Sequence, residues 1–314
     1  MSSLDDLRRH TRVVADTAEY LRLPGLGAQE ATTNPSLVLR AVRQPDYAPL
    51  LGEPALRRAA DPDLAMDRLL VRFGCEILQR VPGRVSTEID ARLSHDAQAS
   101  VQRARRVIEL YEAAGVARSR VLIKLATTWE GIEAARRLRE HGIACNMTLL
   151  FSFTQARACA AAGVQLVSPF VGRITDWARR QAGDSWDAAA HAGEADPGVR
   201  ALLRIWRFYK SRGVATEVMG ASFRQTSQIA ALCGCDLLTV SPALLDELAG
   251  SPQALPRRLD PRHPGAAEDD APLQVTRAEF DAALAGDAMS RSKLAEGIAA
   301  FVDDTVALLE LLRG

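Results

Sequence analysis

The sequence predicts an α/β fold, namely a single (β/α)8 barrel over residues 1–314 with additional helices at both ends of the chain. Three observations support this prediction. Strand-like segments alternate with helical segments, as in parallel sheets. Eight such units can be counted, with neither a linker nor an internal repeat between them. A barrel of this kind usually takes about 250 residues plus insertions, so the length fits one barrel as well as two ordinary domains. The eight units without a boundary favour a closed barrel over a doubly wound sheet.

The first half of the chain contains four strand-like segments, at residues 12–17, 30–35, 85–90 and 121–126. A short helix over about residues 2–10 precedes them, and apolar positions at helical spacing cover residues 55–81. Ser94 is expected to cap the helix that ends at Gly115. Residues 127–130, Thr-Thr-Trp-Glu, have the sequence of a capping box that opens the next helix.

The second half of the chain repeats this alternation, with strand-like segments at residues 144–150, 164–171, 216–221 and 237–240. Helices are expected to begin after capping residues at Ser152, Asp196, Ser222 and Ser241. Residues 251–271 are rich in proline, arginine and aspartate, which indicates a surface excursion. Two closing helices are predicted from Thr276 onward.

Charge and composition exclude several classes of protein. The chain has 39 basic and 39 acidic residues and no polybasic block, so it is expected to bind neither nucleic acid nor an anionic membrane. No apolar run is long enough for a transmembrane helix. The five cysteines and five histidines show no spacing typical of a metal site or a disulfide framework. A cytoplasmic protein without a bound metal is therefore expected.

One lysine stands out from its surroundings, because Lys124 lies inside an apolar, β-forming run. Of the 39 basic residues only three are lysine, namely Lys124, Lys210 and Lys293. Arginine cannot lose its proton in a protein and cannot form an imine, so a lysine here indicates a chemical role. Burial is expected to lower the pKa of Lys124 and give a neutral amine that attacks carbonyls. The alternative is an edge lysine whose head reaches solvent.

Polar side chains fall at or near the carboxyl ends of several predicted strands, where the active sites of such barrels lie. These residues are Asp16, Asn34, Glu88, Lys124, Thr148 and Ser168. Because side chains alternate along a strand, Ser86 shares a face with Glu88, and Asn146 with Thr148. Taken singly, each could be a turn, cap or ion-pair residue, and Arg173 and Arg224 could be ordinary surface charges. Because these residues lie at or near the same ends of the predicted strands, the sequence predicts that they form one site.

Motifs along nearly the whole chain resemble those of transaldolase. They are Val14-Ala15-Asp16-Thr17, Ala31-Thr32-Thr33-Asn34-Pro35-Ser36, Ser86-Thr87-Glu88-Ile89-Asp90-Ala91-Arg92-Leu93-Ser94, Ile123-Lys124-Leu125-Ala126, Cys145-Asn146-Met147-Thr148-Leu149-Leu150-Phe151-Ser152, Ser168-Pro169-Phe170-Val171-Gly172-Arg173, Met219-Gly220-Ala221-Ser222-Phe223-Arg224 and Lys293-Leu294-Ala295-Glu296-Gly297. The resemblance is to the longer transaldolases of the pentose phosphate pathway. It implies an (α/β)8 barrel, in agreement with the strand count, and a homodimer.

The same resemblance implies the reaction. A dihydroxyacetone unit passes from sedoheptulose 7-phosphate to glyceraldehyde 3-phosphate, which gives erythrose 4-phosphate and fructose 6-phosphate without a metal or organic cofactor. By resemblance, Lys124 forms the Schiff base and Asp16 is the acid/base of carbon–carbon bond cleavage. Glu88 moves protons through a water held with Thr148.

The resemblance also assigns substrate contacts. Asn34, Asn146 and Ser168 match residues that hold the hydroxyl groups of the dihydroxyacetone unit. Arg173 and Arg224 match a phosphate clamp, for which a fixed fork of donors is well suited. Further contacts with the substrate are expected from Thr32, Ser86, Phe170 and Ser222.

The chain length, Glu88 and Phe170 favour transaldolase over the first of two alternative functions. An aldolase of the same superfamily releases dihydroxyacetone instead of passing it on. Such aldolases are much shorter and tend to carry glutamine in place of Glu88 and tyrosine in place of Phe170. The other alternative is a phosphosugar-binding barrel that has lost catalysis, but the presence of Lys124, Asp16 and Glu88 together argues against it.

Overall fold

The computed structural model of the protein describes residues 2–57, 59, 61–266 and 270–313. Within them, eight strands form a closed barrel in which each strand neighbours the next one along the chain, in parallel register. The strands are β1 (Arg12–Asp16), β2 (Glu30–Thr32), β3 (Val85–Glu88), β4 (Val121–Ala126), β5 (Cys145–Leu150), β6 (Leu166–Pro169), β7 (Glu217–Gly220) and β8 (Leu237–Val240). The predicted (β/α)8 architecture, often called a TIM barrel, is confirmed.

Helices separate the strands, and further helices lie at both ends of the chain. They are α1 (Ser3–His10), α2 (Leu23–Leu26), α3 (Pro35–Val42), α4 (Pro54–Arg57), α5 (Pro62–Leu78), α6 (Ala97–Ala113), α7 (Trp129–Glu140), α8 (Phe153–Ala162), α9 (Val171–Ala182), α10 (Pro197–Ser211), α11 (Thr226–Ala231), α12 (Pro242–Gly250), α13 (Arg277–Gly286) and α14 (Ala288–Arg313). The terminal helices predicted from the sequence correspond to α1, α13 and α14.

By their internal contacts, the residues fall into two compact units. The first unit comprises Met1–Val14 and Met147–Leu294, and the second comprises Ala15–Asn146 and Ala295–Gly314. The unit boundaries fall inside β1, β5 and α14, so each unit is built from separate stretches of the chain. A single domain over residues 1–314 stays a prediction.

The strands of the second unit show how the barrel positions polar groups. All six residues of β4 are buried, as are all four residues of β3, which fits parallel strands that are covered on both faces. Thr32 pairs in register with Ser86, and Glu88 pairs with Lys124. Backbone pairing therefore fixes Thr32, the last residue of β2, beside Ser86, and Glu88, the last residue of β3, beside Lys124.

Several helix ends form as predicted. Ser152 and Gln155 make a reciprocal capping box at the start of α8, and Gly163 ends that helix in the left-handed conformation. Asp196 caps α10. Thr276 caps α13 through another capping box.

Two other predicted caps are wrong. The cap of α6 is Asp96, whereas the Ser94 hydroxyl donates to the carbonyl of Ala91 within the preceding turn. The cap of α7 is Thr128, which accepts a hydrogen bond from Gly131 N, so residues 127–130 do not act as the predicted box. In both cases the side chain of a neighbouring residue accepts the hydrogen bond from the first turn of the helix instead.

The segment around Ser222 also differs from the prediction. Ser222 has φ of 64° and α11 begins only at Thr226, after Gln225, whose side chain makes no capping hydrogen bond. Val171, predicted as the last residue of a strand, is the first residue of α9. Both differences lie at or next to predicted site residues.

The predicted surface excursion is partly described. Residues 251–266 contain neither helix nor strand, and residues 267–269 lie outside the described part of the chain. Leu255 and Leu259 are buried, so this segment is anchored at two apolar positions. None of the helices in the described residues combines the length and apolarity that a membrane span requires.

Candidate active site

The candidate catalytic pair lies on neighbouring strands of the second unit. Lys124 Nζ lies 2.9 Å from Glu88 Oε2, and only 5% and 3% of the two side chains are exposed. The alternative of an edge lysine that reaches solvent is therefore wrong. A buried charge is costly unless it is paired and hydrogen-bonded, so each member of this pair depends on the other.

Two further groups surround the Lys124 amine. Lys124 Nζ donates to the carbonyl of Thr33 at 3.3 Å and lies 5.9 Å from the ring centroid of Phe301. Phe301 belongs to α14 and is itself 2% exposed. The ring shields the amine from water while the carbonyl and the carboxylate orient it.

This arrangement suits an amine that reacts with a carbonyl group. An amine becomes nucleophilic only after it loses its proton, and Glu88 provides an acceptor within hydrogen-bond distance. If the amine forms an iminium, the same carboxylate lies beside the new positive charge. The pair can therefore both exchange protons and stabilise a cationic intermediate.

The second carboxylate, Asp16, is the last residue of β1 and is half-buried. Its Oδ1 accepts a hydrogen bond from the Thr32 hydroxyl at 2.8 Å. The backbone N–H of Thr17 donates to the Thr32 carbonyl at 3.1 Å. These bonds orient the Asp16 carboxylate from the neighbouring strand and leave it able to accept a proton.

Three predicted amide and hydroxyl groups lie in the same unit. Asn146 Nδ2 donates to Ser86 Oγ at 3.1 Å, and both residues are buried. Asn34 caps α3, where its Oδ1 accepts from Leu37 N at 2.9 Å. The Nδ2 group of Asn34 is then the part of its amide that can donate to a ligand. Ser86 and Asn146 form a connected polar pair.

Thr148 and Ser168 belong to the first unit, at β5 and β6, and are 0% and 1% exposed. Leu149, which follows Thr148, has φ of 55°. Among the described residues, Leu149 and Ser222 are the two non-glycine residues with positive φ. Such backbone strain is concentrated at functional sites, and here each case lies at or beside a predicted site residue.

The first predicted clamp residue, Arg224, is held in a defined orientation. Its Nε and Nη2 donate to Asp176 Oδ2 at 3.0 and 2.7 Å. Its Nη1 donates to the carbonyl of Ser222 at 3.0 Å. The Arg224 side chain is nevertheless 45% exposed, so its oriented guanidinium group can bind an anion from solvent.

The second predicted clamp residue, Arg173, lies in the first turn of α9. Its guanidinium carbon is 5.1 Å from the ring centroid of Phe170, a distance at which cation–π attraction is effective. Phe170 packs edge-on against Phe151, with ring centroids 5.6 Å apart. The buried Phe170 ring therefore provides an apolar wall beside a positive charge.

The backbones that carry these two arginines are in direct contact. Gly172 N donates to the Ser222 carbonyl at 3.1 Å. A Cβ at position 172 would lie 2.0 Å from the Ser222 carbonyl oxygen, so only glycine permits this approach. Glycine at position 172 therefore allows the segments that carry Arg173 and Arg224 to pack against each other.

Comparison with known proteins identifies the family of the chain. A family model described as Transaldolase/Fructose-6-phosphate aldolase matches residues 13–312. The chain belongs to this family. A curated protein named transaldolase, from Methylibium petroleiphilum, is 55% identical over 314 residues, which cover 99% of each chain. The resemblance to transaldolase found in the sequence motifs is therefore confirmed.

Three contacts of this transaldolase-family site were not predicted from the sequence. Phe301 approaches Lys124 from α14, the Thr33 carbonyl binds the same amine, and Asp176 binds Arg224. Phe301 lies outside every predicted strand, and Thr33 binds through its backbone carbonyl, whose role does not depend on the side chain. Asp176 lies in α9, a helix that was not predicted, although its position one turn after Arg173 is a usable signal once that helix is known.

Proposed function

We propose that the protein is a transaldolase that carries a dihydroxyacetone unit on Lys124 as a Schiff base. The donor is sedoheptulose 7-phosphate and the acceptor is glyceraldehyde 3-phosphate. The products are erythrose 4-phosphate and fructose 6-phosphate, as in the non-oxidative pentose phosphate pathway. The observation that carries the proposal is the buried pair of Lys124 and Glu88, and family membership supports the same reaction.

Imine formation is the first step. Glu88 takes a proton from the Lys124 ammonium, and the amine nitrogen adds to the C2 carbonyl of the donor ketose. The carbonyl oxygen receives one proton to become a hydroxyl group and a second to leave as water, which gives a protonated imine. Glu88 exchanges these protons, directly or through a water held with Thr148, and such transfers typically accelerate a step by about 10²–10⁴-fold.

Bond cleavage is the second step. Asp16 removes the proton of the C4 hydroxyl group, and the C3–C4 bond breaks as a carbonyl forms at C4. The electron pair of the broken bond moves into the protonated imine, which becomes an enamine. Erythrose 4-phosphate leaves, and the dihydroxyacetone unit remains on Lys124. The hydrogen bond from Thr32 keeps Asp16 oriented for this transfer.

Transfer to the acceptor reverses these events. The enamine carbon attacks the aldehyde of glyceraldehyde 3-phosphate, and Asp16 returns its proton to the hydroxyl group that forms. Water then hydrolyses the imine and releases fructose 6-phosphate, with Glu88 again exchanging protons. All of these steps use side chains of the protein and need no metal or organic cofactor.

Substrate contacts follow from the remaining polar groups. Arg173 and Arg224 bind the phosphate group through their planar forks of donors. The hydroxyl groups of the dihydroxyacetone unit are held by Asn34, Asn146 and Ser168. Additional contacts come from Thr32, Ser86, Phe170 and Ser222.

The nearest alternative is an aldolase that releases dihydroxyacetone. The family description includes fructose-6-phosphate aldolase, so membership alone leaves both reactions open. The full-length similarity to a protein named transaldolase, together with Glu88 and Phe170, favours transfer. An aldolase would release dihydroxyacetone from fructose 6-phosphate without any acceptor, whereas a transaldolase would retain it as the enamine.

Assembly and location are part of the same proposal. By family resemblance, the protein acts as a homodimer in the cytoplasm on small phosphorylated sugars. The balanced charge of 39 basic and 39 acidic residues agrees with substrates that are bound locally rather than with a polyanionic partner. Sedimentation or light scattering of the purified protein would test the dimer.

The decisive experiment is reductive trapping. Borohydride added with fructose 6-phosphate should reduce the imine and leave a dihydroxyacetone-derived adduct on Lys124, located by peptide mass mapping. A coupled assay should detect erythrose 4-phosphate from sedoheptulose 7-phosphate and glyceraldehyde 3-phosphate. Labelling at Lys210 or Lys293, or no labelling at all, would refute the proposal.

A further inference from the structure

A buried hydrogen-bonded chain begins at Asp196, which caps α10 and is fully buried. Its Oδ1 accepts from Gly198 N at 2.9 Å and from Val199 N at 3.0 Å, as a helix cap does. Its Oδ2 accepts instead from Gln228 Nε2 at 2.9 Å. One oxygen therefore serves the helix, and the other serves a side chain on α11.

Gln228 transmits this contact to Arg224. Gln228 is fully buried, and its Oε1 accepts from the backbone N–H of Arg224 at 2.8 Å. A carboxylate can only accept hydrogen bonds, so Gln228 must present its NH₂ group to Asp196. The carbonyl oxygen of the Gln228 amide is then left for Arg224. The direction of the chain is fixed by chemistry, from Arg224 N–H through Gln228 to Asp196.

A second branch of the chain reaches the helix of Arg173. The Thr175 hydroxyl on α9 donates to Asp196 Oδ1 at 2.7 Å and accepts from Gln228 Nε2 at 3.2 Å. The start of α10 also touches the start of α9, because a Cβ at Gly198 would lie 2.0 Å from the Val171 carbonyl oxygen. Asp196 thus connects both segments that carry the arginines.

We propose that Asp196 is a positioning residue for substrate phosphate, because its contacts through Gln228 and Thr175 set the spacing of Arg173 and Arg224. The inference rests on the phosphate clamp of the proposed function. Two guanidinium groups bind one phosphate more tightly when their separation is held fixed before binding, because less conformational freedom is then lost. A residue that only caps α10 would need Oδ1 alone, and its contact with Gln228 would have no effect on phosphate.

Asp196→Asn tests the direction of the chain. The introduced amide keeps an oxygen for the helix cap but places an NH₂ group against the NH₂ group of Gln228. If Gln228 keeps its orientation, the two NH₂ groups repel each other and displace the side chain that binds Arg224 N–H. If the Gln228 amide rotates, its NH₂ group faces the backbone N–H of Arg224, which loses its acceptor. The affinity for phosphate should fall about tenfold, the size expected for losing one hydrogen bond that involves a charged group.

A reciprocal exchange should restore the chain. Gln228→Glu alone opposes two carboxylates and should also weaken phosphate binding. In the Asp196→Asn/Gln228→Glu double variant, the introduced amide donates to the introduced carboxylate, whose second oxygen accepts from Arg224 N. Phosphate affinity should return to within about threefold of the native value. A purely capping role for Asp196 gives no such rescue.

Two further variants separate positioning from folding. Gln228→Met leaves the α10 cap in place and removes the contacts of the Gln228 amide, so it tests the same link if Asp196→Asn fails to fold. Asp96→Asn alters the exposed aspartate cap of α6 and serves as the control for the loss of a cap charge alone. Circular dichroism and thermal unfolding of each variant verify that the comparison concerns folded protein.

The probe is inorganic phosphate, measured as a competitive inhibitor and by calorimetry, together with KM and kcat for fructose 6-phosphate and for unphosphorylated fructose. The expected result is weaker phosphate binding and a raised KM for the phosphorylated sugar in Asp196→Asn and Gln228→Met, with fructose turnover and Asp96→Asn unchanged. Unchanged phosphate affinity in both variants, or no rescue in the double variant, would overturn the inference alone. Native protein that binds no phosphate would overturn the clamp itself, and this inference with it.

Discussion

Lys124 Nζ and Glu88 Oε2 lie 2.9 Å apart on adjacent strands, and both side chains are shielded from solvent. Removing one member leaves the other charge buried and uncompensated, which typically costs about 3–5 kcal/mol. Loss of either member of this proposed catalytic pair is therefore expected to lower stability as well as activity. Mutation can separate the two effects.

Lys124→Met should abolish imine trapping and lower the free energy of unfolding by about 3–5 kcal/mol. The Lys124→Met/Glu88→Gln double variant removes both charges and should recover most of this stability while staying inactive. Urea denaturation of the three proteins measures the difference. If the single variant is as stable as the native protein, the pair does not carry the charges assigned to it.

Asp16→Asn should separate two chemical steps. Without the carboxylate, the C4 hydroxyl proton has no acceptor, so release of erythrose 4-phosphate should slow by about 10²–10⁴-fold. Borohydride trapping on Lys124 should persist. Thr32→Val, which removes the hydrogen bond to Asp16, should give a smaller loss in the same step. Equal loss of trapping and cleavage would indicate that Asp16 only supports the structure.

Arg224→Ala should raise KM for phosphorylated substrates by about tenfold or more, because charge-assisted hydrogen bonds to phosphate are lost. Turnover of unphosphorylated fructose should change little. Arg277→Ala removes an arginine of similar exposure, paired with Asp281 on α13, and is the matched control. Comparable losses on phosphorylated and unphosphorylated sugars would refute a phosphate-specific role for Arg224.

Phe301→Ala should impair imine formation without touching either carboxylate. The lost ring admits water to the Lys124 amine, and truncation of a buried phenylalanine typically costs about 3–5 kcal/mol of stability. Phe280→Ala removes a phenylalanine of equal burial from α13 and should lower stability without specific loss of trapping. Stopped-flow trapping with borohydride compares the two variants at a temperature where both are folded.

The cysteines should be unreactive in the native protein. Burial raises the pKa of Cys145 to about 12 and that of Cys233 to about 11. It also raises the pKa of the half-buried Cys75. A thiol with a raised pKa stays protonated below that pH, and the thiolate is the reactive form. At pH 8, an aromatic disulfide reagent should label native protein slowly, at Cys75 first, and all five thiols after denaturation.

The sequence was sufficient to predict the position of groups that follows from the alternation of side chains along a strand. Glu88 is the last residue of β3 and Lys124 lies in the second half of β4, and alternation along each strand decides which face a side chain occupies. Ser86 and Asn146 were each assigned to the face of a catalytic neighbour, and the structure joins them by a hydrogen bond. The rule that parallel barrels carry their chemistry at the carboxyl ends of the strands supplied the rest.

Features that depend on tertiary contact could not be predicted. Ser94 and Asp96 are both good caps, and only the geometry of the preceding turn decides between them. Ser222 was predicted to open a helix, but its carbonyl is bound by Gly172 N and its backbone is left-handed. Phe301 reaches Lys124 from the last helix, at a sequence separation over which local patterns carry no information.

The scarcity of lysine has a practical consequence. The Lys124 and Lys293 residues are 4% and 5% exposed, and the Lys210 side chain is 14% exposed and paired with Asp236. The folded protein therefore offers almost no accessible lysine side chain. Acylating cross-linkers and lysine-specific proteases should leave the native form nearly intact, so their action would report unfolding with little background.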